Sequence, residues 1–546
     1  MPVITMNWEE LERLVGAKRD LILERLPMIG CDIERYDEKT ISVEFFPNRP
    51  DLYSIEGVAR ALRGFLGIEK GVRKYEVKKG EWKIFVDESV LSVRPRIVGC
   101  VVRNLEIKDE VIRSLMEVQE DLHWTIGRNR RRMAIGVHDL SKINFPLTYK
   151  AVSSDFSFVP LDSKREMSVS EILREHPKGK EYGFILEGKD SYPMIIDSMG
   201  EAISFPPIIN AEKTRVTDKT RDIFIDVTGF DEYADKALNI LACMLSDRGG
   251  IIESVEIVYP DRKERTPDLS LKVFRVKKSE IFSLLGFEIS SDEIISALER
   301  MRFSCVDKGD EIEVLVPPYR ADIMHDWDII EDIAIGYGYD RIIPEYPKTA
   351  TIGEAHPWNE IRNLVREIML GLGFTEVITF TLTSEKSYSN LGRTARPWED
   401  YVPLMHPLTT EHTLIRTELL PKLLEVLAFN RHCELPIKIF EVGDVVVAKK
   451  NRLKLCFCIM NSRATFSEIR SYVQAFMREI DVDWKAEEAE DAAFIIGRQA
   501  KVVVNGKSAG IFGEIHPRVL ENFGIPYPVV AFEIDLTDIF DCGEIL

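Results

Sequence analysis

The feature that most narrows the fold is a pattern that the chain runs through twice. LERLVG followed by LILERLPMIGCDIERYDEKTISVEFFPNRPD (11–16 and 21–51) is matched by IFSLLG followed by ISALERMRFSCVDKGDEIEVLVPPYRAD (281–286 and 295–322). Each copy ends a strand with R-x-D, Arg49-Pro50-Asp51 and Arg320-Ala321-Asp322, and then enters a helix with a similar core, SIEGVAR (54–60) or IIEDIAI (329–335). Repetition of element order with the same terminal motif predicts a duplicated small α+β module. Asn7 before WEELERLVG, with Glu10 three residues on, reads as a helix start.

The second copy carries a surplus of charge. Asp322, Asp326, Asp328, Glu331 and Asp332 fall within eleven positions beside one arginine, Arg320. On a helix beginning near Asp326, three of them (Asp328, Glu331, Asp332) share a sector of roughly 100° opposite Ile330, Ile333, Ala334 and Tyr337. A solvated polar face accounts for this, since acids near a helix start suit the macrodipole. Two facts favour a built site: like charges at i,i+3 and i,i+4 repel without a lysine to offset them, and the first copy has Tyr53 and Gly57 where the second has Asp328 and Asp332. Oxygen-only ligands of this kind suit Mg²⁺. A carboxylate pair for acid–base chemistry ranks lower, because no nucleophile, histidine or lysine stands in register.

With 546 residues the chain is expected to hold about three to five domains. Residues 1–75 form the first module. Residues 76–262 mix short strands and helices into one α/β domain, among them the strand YGFIL. PDRKERTPDL (260–269) reads as a charged linker, 270–342 as the second module, 343–358 as a proline-containing linker, and 350–546 as a last domain with its first helix near 359. That domain includes the strand EVITFTL and a hairpin on Asn505-Gly506. A formal charge of -19 argues against bulk coating of nucleic acid. No run approaches the ~18 apolar residues of a membrane span, and the amino terminus lacks a signal-peptide pattern. The eight cysteines are scattered, Cys456 and Cys458 pointing to one face of a strand as core residues, which suits a reduced cytoplasmic protein.

Four strings, in order, carry a family resemblance: FPNRPDLYSIEGVARAL (46–62), GRNRRRMAIGVHDL (127–140), PPIIN with FIDVTG (206–210 and 224–229), and VPPYRADIMHDWDIIEDIAIGYGYDRI (316–342). Together they resemble the β subunit of phenylalanyl-tRNA synthetase of the archaeal and eukaryotic type, over essentially the whole chain. The resemblance implies an α+β multidomain fold: duplicated small modules, a mixed α/β editing domain, and an antiparallel-sheet domain related to class II synthetases but lacking the catalytic motifs. Class II enzymes clamp ATP with one arginine in an F-R-x-E type strand and a second in a G-x-G-x-x-R motif; KIFEVGDVV (438–446) has no such arginine, and GIFGEIHPRV (510–519) lacks the G-x-G-x-x-R spacing. Without such donors on the triphosphate, in-line attack is poorly stabilised.

The same resemblance implies an assembly of two α and two β subunits, with ATP and phenylalanine bound through α, tRNA as substrate, and a Mg²⁺ ion held by Asp322, Asp328, Glu331 and Asp332. In the middle domain it implies removal of tyrosine from misacylated tRNA. Asn210 and Thr214 follow the Pro-Pro turn, while Asp226 and Thr228 alternate on one strand. Asp226 would accept from the phenolic hydroxyl, Thr228 would line the pocket, and a positioned water would attack the ester. The bland alternative has Asn210 capping a turn and Asp226 pairing with a nearby Lys or Arg. Arg128, Arg130, Arg131 and Arg132 crowd one loop as candidate phosphate contacts, against an exposed loop packed on acidic neighbours. His138 reads as a packed histidine, and His123 with Trp124 as a base-stacking pair or a partly buried Trp. A scaffold that binds tRNA or α without chemistry of its own is the alternative function; a free-standing metal-dependent hydrolase is a third.

Overall fold

The computed structural model describes residues 1–105, 109–349, 352–393 and 401–540. Cys542 and positions 350–351 of the expected second linker lie outside them. The chain divides into two compact units, 1–345 and 346–546.

In the first unit, two three-stranded antiparallel sheets share one plan. The strands Val3–Asn7, Thr40–Phe45 and Cys31–Tyr36 lie in that spatial order, and Lys272–Lys277, Glu311–Val316 and Ser304–Asp307 repeat it. Helices Trp8–Val15, Arg19–Arg25 and Ile55–Phe65 accompany the first sheet, and Lys278–Leu285, Ser291–Arg300 and Asp326–Tyr337 the second. Local chemistry places the helix ends. Asn7 accepts from the Glu9 and Glu10 N–H groups, and Ser290 with Glu293 forms a reciprocal cap. Gly16 and Gly286 close the helices Trp8–Val15 and Lys278–Leu285 in the left-handed conformation. The two copies pack on each other: Arg300 donates to the Phe65 carbonyl at 2.9 Å and the Gly71 N–H to the Glu299 carbonyl at 2.9 Å. A Cβ on Gly64 would come within 2.5 Å of the Arg300 carbonyl, so this crossing needs glycine.

A ten-stranded mixed sheet forms the rest of the unit. Its path runs from Ile209–Asn210 through Ala202–Phe205, Tyr192–Ile196, Leu147–Val152, Val77–Val86, Ile251–Val258, Arg96–Arg103 and Ile223–Gly229 to Met133–Asp139. The sheet bends until its two ends approach, and Asn210 Nδ2 donates to the Val137 carbonyl at 3.4 Å. The apolar helix Tyr233–Asp247 covers one face. Two expectations are corrected here. The stretch read as a linker contributes the strand Lys263–Thr266, held by Arg265–Glu256 and by Thr266, whose hydroxyl donates to the Gly99 carbonyl at 2.7 Å. YGFIL is helical, the last turn of Pro177–Tyr182 running into a 3-10 turn at Gly183–Leu186. A short apolar run without alternation does not by itself distinguish strand from helix.

The second unit is built on a seven-stranded sheet ordered Thr375–Glu376, Ile437–Val447, Lys450–Met460, Val529–Asp535, Lys507–Ile515, Phe494–Val504 and Lys485–Glu488. All neighbours are antiparallel except the first pair. Alternation along Lys450–Met460 sends Leu455, Phe457 and Ile459 to the core under helix Phe466–Glu479, and Cys456 and Cys458 to the core under Leu420–Phe429. Asn505 and Gly506, both at positive φ, turn the hairpin. The expected strand EVITFTL is only partly made: Thr375–Glu376 pairs with Ile437–Val447 and Leu382–Thr383 with Leu414–Ile415 in a separate small sheet, whereas Ile378 and Phe380 between them stand exposed. None of this unit's described strands covers that edge.

Candidate functional site

A cavity of about 360 Å³ opens where the ends of the ten-stranded sheet meet. Ile112 and Met116 from helix Asp109–Trp124, the Pro206-Pro207 turn and Ile208 supply apolar walls, and Asn210, Thr214 and Asp226 supply polar atoms. Asp226 sits mid-strand between two neighbours, opposite Gly136 on one side and Gly99 on the other. Its carboxylate is buried, with Oδ2 2.8 Å from His138 Nε2. The opposite ring nitrogen, Nδ1, lies 2.8 Å from Thr214 Oγ1, and His138 is fully buried against Phe224. Among the described residues Asp226 Oδ1 makes no hydrogen bond. Asn210 bridges the sheet ends, accepting from Ser204 Oγ at 3.0 Å.

Thr228 takes a different place from the expected one. It is fully buried, accepts from Arg94 Nε at 3.0 Å and does not line the cavity. Burial pulls the Arg94 guanidinium down to about 10. Three residues beyond the expected set belong to the site. Gly136 lines it, His138 backs it, and Gln119 lines it with a buried, unpartnered Oε1 while its Nε2 donates to the Ile135 carbonyl. The G-x-H spacing in MAIGVHD carried the signal for the first two, because alternation puts them on one strand face.

The arginine loop splits in two. Arg128, Asn129 and Arg130 all have positive φ (51°, 53° and 63°), a left-handed turn that costs roughly 1 kcal/mol per residue. Arg130 offsets this by donating to the Pro207 and Ile208 carbonyls and to Glu120 while lying over Tyr182. Arg132 pairs with Asp231 over Tyr233. Arg128 and Arg131 are exposed.

His123 is buried and accepts the Ile135 N–H through Nε2 at 2.7 Å, so it is no base-stacking platform; Trp124 is exposed. Burial holds the His123 imidazole down to about 4. A folded pKa below the unfolded value gives stability that is present above about pH 6.5 and lost as pH falls through about 4. A decline of roughly 3 kcal/mol across that window is expected from this group, read as the urea midpoint against pH, and a flatter profile is expected for His123→Gln.

The acid cluster does not converge. Arg320 forks onto Asp322 (Nε–Oδ1 2.9 Å, Nη2–Oδ2 2.6 Å) and reaches Asp332 Oδ2 at 2.5 Å. Burial nevertheless pushes the Asp332 carboxyl up to about 6. Asp328 turns back to accept the Met324 and His325 N–H groups at 2.7 Å, and Glu331 is exposed. No group of three or more His, Cys, Asp or Glu side chains among the described residues is placed to hold a metal ion. In this arrangement Asp322 and Asp332 meet on Arg320, Asp328 caps the helix start and Glu331 stands exposed, so the four do not gather into the single Mg²⁺ site that the resemblance implies. Stripping divalent cations with EDTA is expected to move Tm by less than about 1 °C. A drop of several degrees restored by Mg²⁺ would show that the acids regroup around a metal.

Comparison with known proteins places these parts. Residues 104–242, which contain the cavity's lining residues, match the model of the B3/4 domain; residues 274–339 match the tRNA synthetase B5 domain; and residues 342–536 match the phenylalanyl tRNA synthetase beta chain CLM domain. This set of domains defines an aminoacyl-tRNA synthetase subunit, a ligase component. The phenylalanine–tRNA ligase beta subunit of Archaeoglobus fulgidus is 68% identical over the full length of both chains. That of Methanococcoides burtonii is 50% identical over 98% of this chain and 100% of its own. The crystal structure of an N-terminal fragment of the phenylalanyl-tRNA synthetase beta subunit from Pyrococcus horikoshii is 40% identical with a TM-score of 0.60, covering 62% of this chain and 99% of the fragment. The chain belongs to the phenylalanine–tRNA ligase beta subunit family.

Proposed function

We propose that this β subunit supports the ATP-dependent attachment of phenylalanine to its tRNA at a site on a partner α subunit, and that its own cavity hydrolyses tyrosyl-tRNA. The observation that carries the second part is Asp226: one carboxylate oxygen without a partner, facing a cavity with apolar walls. A pocket that merely tolerates an added hydroxyl discriminates by only about 10², so a second site that hydrogen-bonds the hydroxyl raises fidelity. Of the serine and histidine that line the cavity, Ser204 donates to Asn210 and His176 accepts the Lys178 N–H, so neither activates the other, and water attacks the ester.

The division of labour is supported by the C-terminal unit. Arg416, beside the strand Ile437–Val447, is buried on Glu441 and on the Asp444 carbonyl, and Arg393 is held by Glu418 and Asp491. Neither is free to clamp a triphosphate. On the same unit Ile378, Phe380, Met405, Leu408 and Phe429 are each at least 76% exposed, an apolar set suited to a protein partner. We assign α to it, in the two-α, two-β assembly. No described helix is long and apolar enough to cross a membrane, consistent with work in the cytoplasm.

The reading is tested by assaying phenylalanylation with this chain alone and with α, and tyrosyl-tRNA hydrolysis with the complex. Activation of phenylalanine by the chain alone would overturn the first part, and a complex inert on tyrosyl-tRNA the second. Arg128→Ala with Arg131→Ala is expected to weaken tRNA binding and to lower the log–log salt slope by about 2, as loss of two phosphate contacts would. An unchanged slope would remove the loop from the tRNA path.

A further inference from the structure

We infer that His138, which does not line the cavity, is the residue that makes the site selective for a phenolic hydroxyl, acting through Asp226 and Thr214 with Gly136 providing the space. The inference rests on the editing reading above and concerns how that site obtains its polarity.

The ring is held at both nitrogens. Asp226 Oδ2 is 2.8 Å from Nε2, so Nε2 carries the proton; a bare nitrogen there would set two lone pairs face to face. Nδ1 lies 2.8 Å from Thr214 Oγ1, and that hydroxyl also donates to the Ala211 carbonyl at 3.3 Å. The consequence faces the cavity. Asp226 Oδ1 remains an acceptor, and the Thr214 oxygen, engaged with Nδ1 and the Ala211 carbonyl, offers the cavity only lone pairs. Phenol donates and satisfies such a site. Phenyl leaves a buried carboxylate oxygen unpaired, which is the costly case.

Gly136 makes the arrangement possible. It pairs with Asp226 across the sheet, and a Cβ there would lie 2.2 Å from Asp226 Oδ2 and 2.7 Å from His138 Nε2. Any larger residue would drive the carboxylate off the imidazole. His138 touches no cavity volume, so it is a positioning residue rather than a catalytic residue.

The test uses the αβ complex with tyrosyl-tRNA and phenylalanyl-tRNA, reading the ratio of their kcat/KM values for hydrolysis. Aminoacylation, whose site lies on α, serves as the check on folding. His138→Asn keeps an amide near the Nδ1 position and loses the reach to Asp226. It is expected to lower the ratio about 10²-fold, through KM for the tyrosyl substrate. His138→Gln, whose amide reaches the Nε2 position, is expected to restore the ratio to within about fivefold of wild type. A double-mutant cycle of His138→Asn with Asp226→Asn is expected to be non-additive, because the histidine acts only through the carboxylate. Additive losses, or equal loss on both substrates with no rescue by His138→Gln, overturn the inference while leaving Asp226 in place. An Asp226→Asn variant with an unchanged ratio overturns the editing reading instead.

Discussion

Arg320→Ala is expected to destabilise the first unit by about 3–5 kcal/mol, the penalty for leaving buried carboxylates without their counter-charge. Arg320 is the junction of the second module. Its side chain is 2% exposed, it forks onto Asp322, and it reaches Asp332, whose side chain is 1% exposed. The first module holds the equivalent fork, Arg49 on Asp51 at 2.8 and 2.9 Å, close enough for its charges to act on Arg320. Loss of Arg320 therefore strands Asp332, already pushed up to about 6, beside the half-buried Asp322. Urea unfolding measures the effect. Replacing both partners with apolar residues, Arg320→Met with Asp332→Leu, is expected to recover most of the loss, since a desolvated pair contributes little net stability. A single-variant loss below about 1 kcal/mol would sink the ion-pair account of these acids.

Asp226→Ala is expected to lower kcat/KM for tyrosyl-tRNA hydrolysis by about 10²-fold while phenylalanyl-tRNA hydrolysis holds or rises. A hydrogen bond to a charged acceptor contributes about 1.5–3 kcal/mol, which is roughly one to two decades in rate. The asymmetry between substrates is the informative part. Removing the carboxylate takes away the tyrosine contact, and it also removes the unpaired oxygen that penalises phenylalanine. Equal loss on both substrates would make Asp226 a structural carboxylate. Unchanged hydrolysis of tyrosyl-tRNA would take it out of the site.

The local chemistry of the chain was legible before any fold was known. The repeated R-x-D, the helix start at Asn7 and the one-sided Cys456 and Cys458 all follow from spacings that backbone geometry alone converts into direction. The acid cluster was legible as a cluster and misleading as a site. Residues on one helix sector can still point apart, and Asp328 turned to the helix start while Asp332 turned to Arg320. The four-arginine loop misled in the same way, because a left-handed turn sends Arg130 inward and leaves Arg128 and Arg131 outside.

What the amino-acid order determined on its own is the set of parts: two copies of one module, a strand carrying Asp226, a Pro-Pro turn before Asn210, and a strand KIFEVGDVV with no arginine. What only the tertiary structure decided is which parts meet. Strand order brings Asn210 and Thr214 from one end of the ten-stranded sheet to Gly136 and His138 at the other, around Asp226. Periodicity says which face a side chain takes on its own strand. It is silent on which strand lies alongside, since that depends on closing a sheet whose ends lie far apart in the chain.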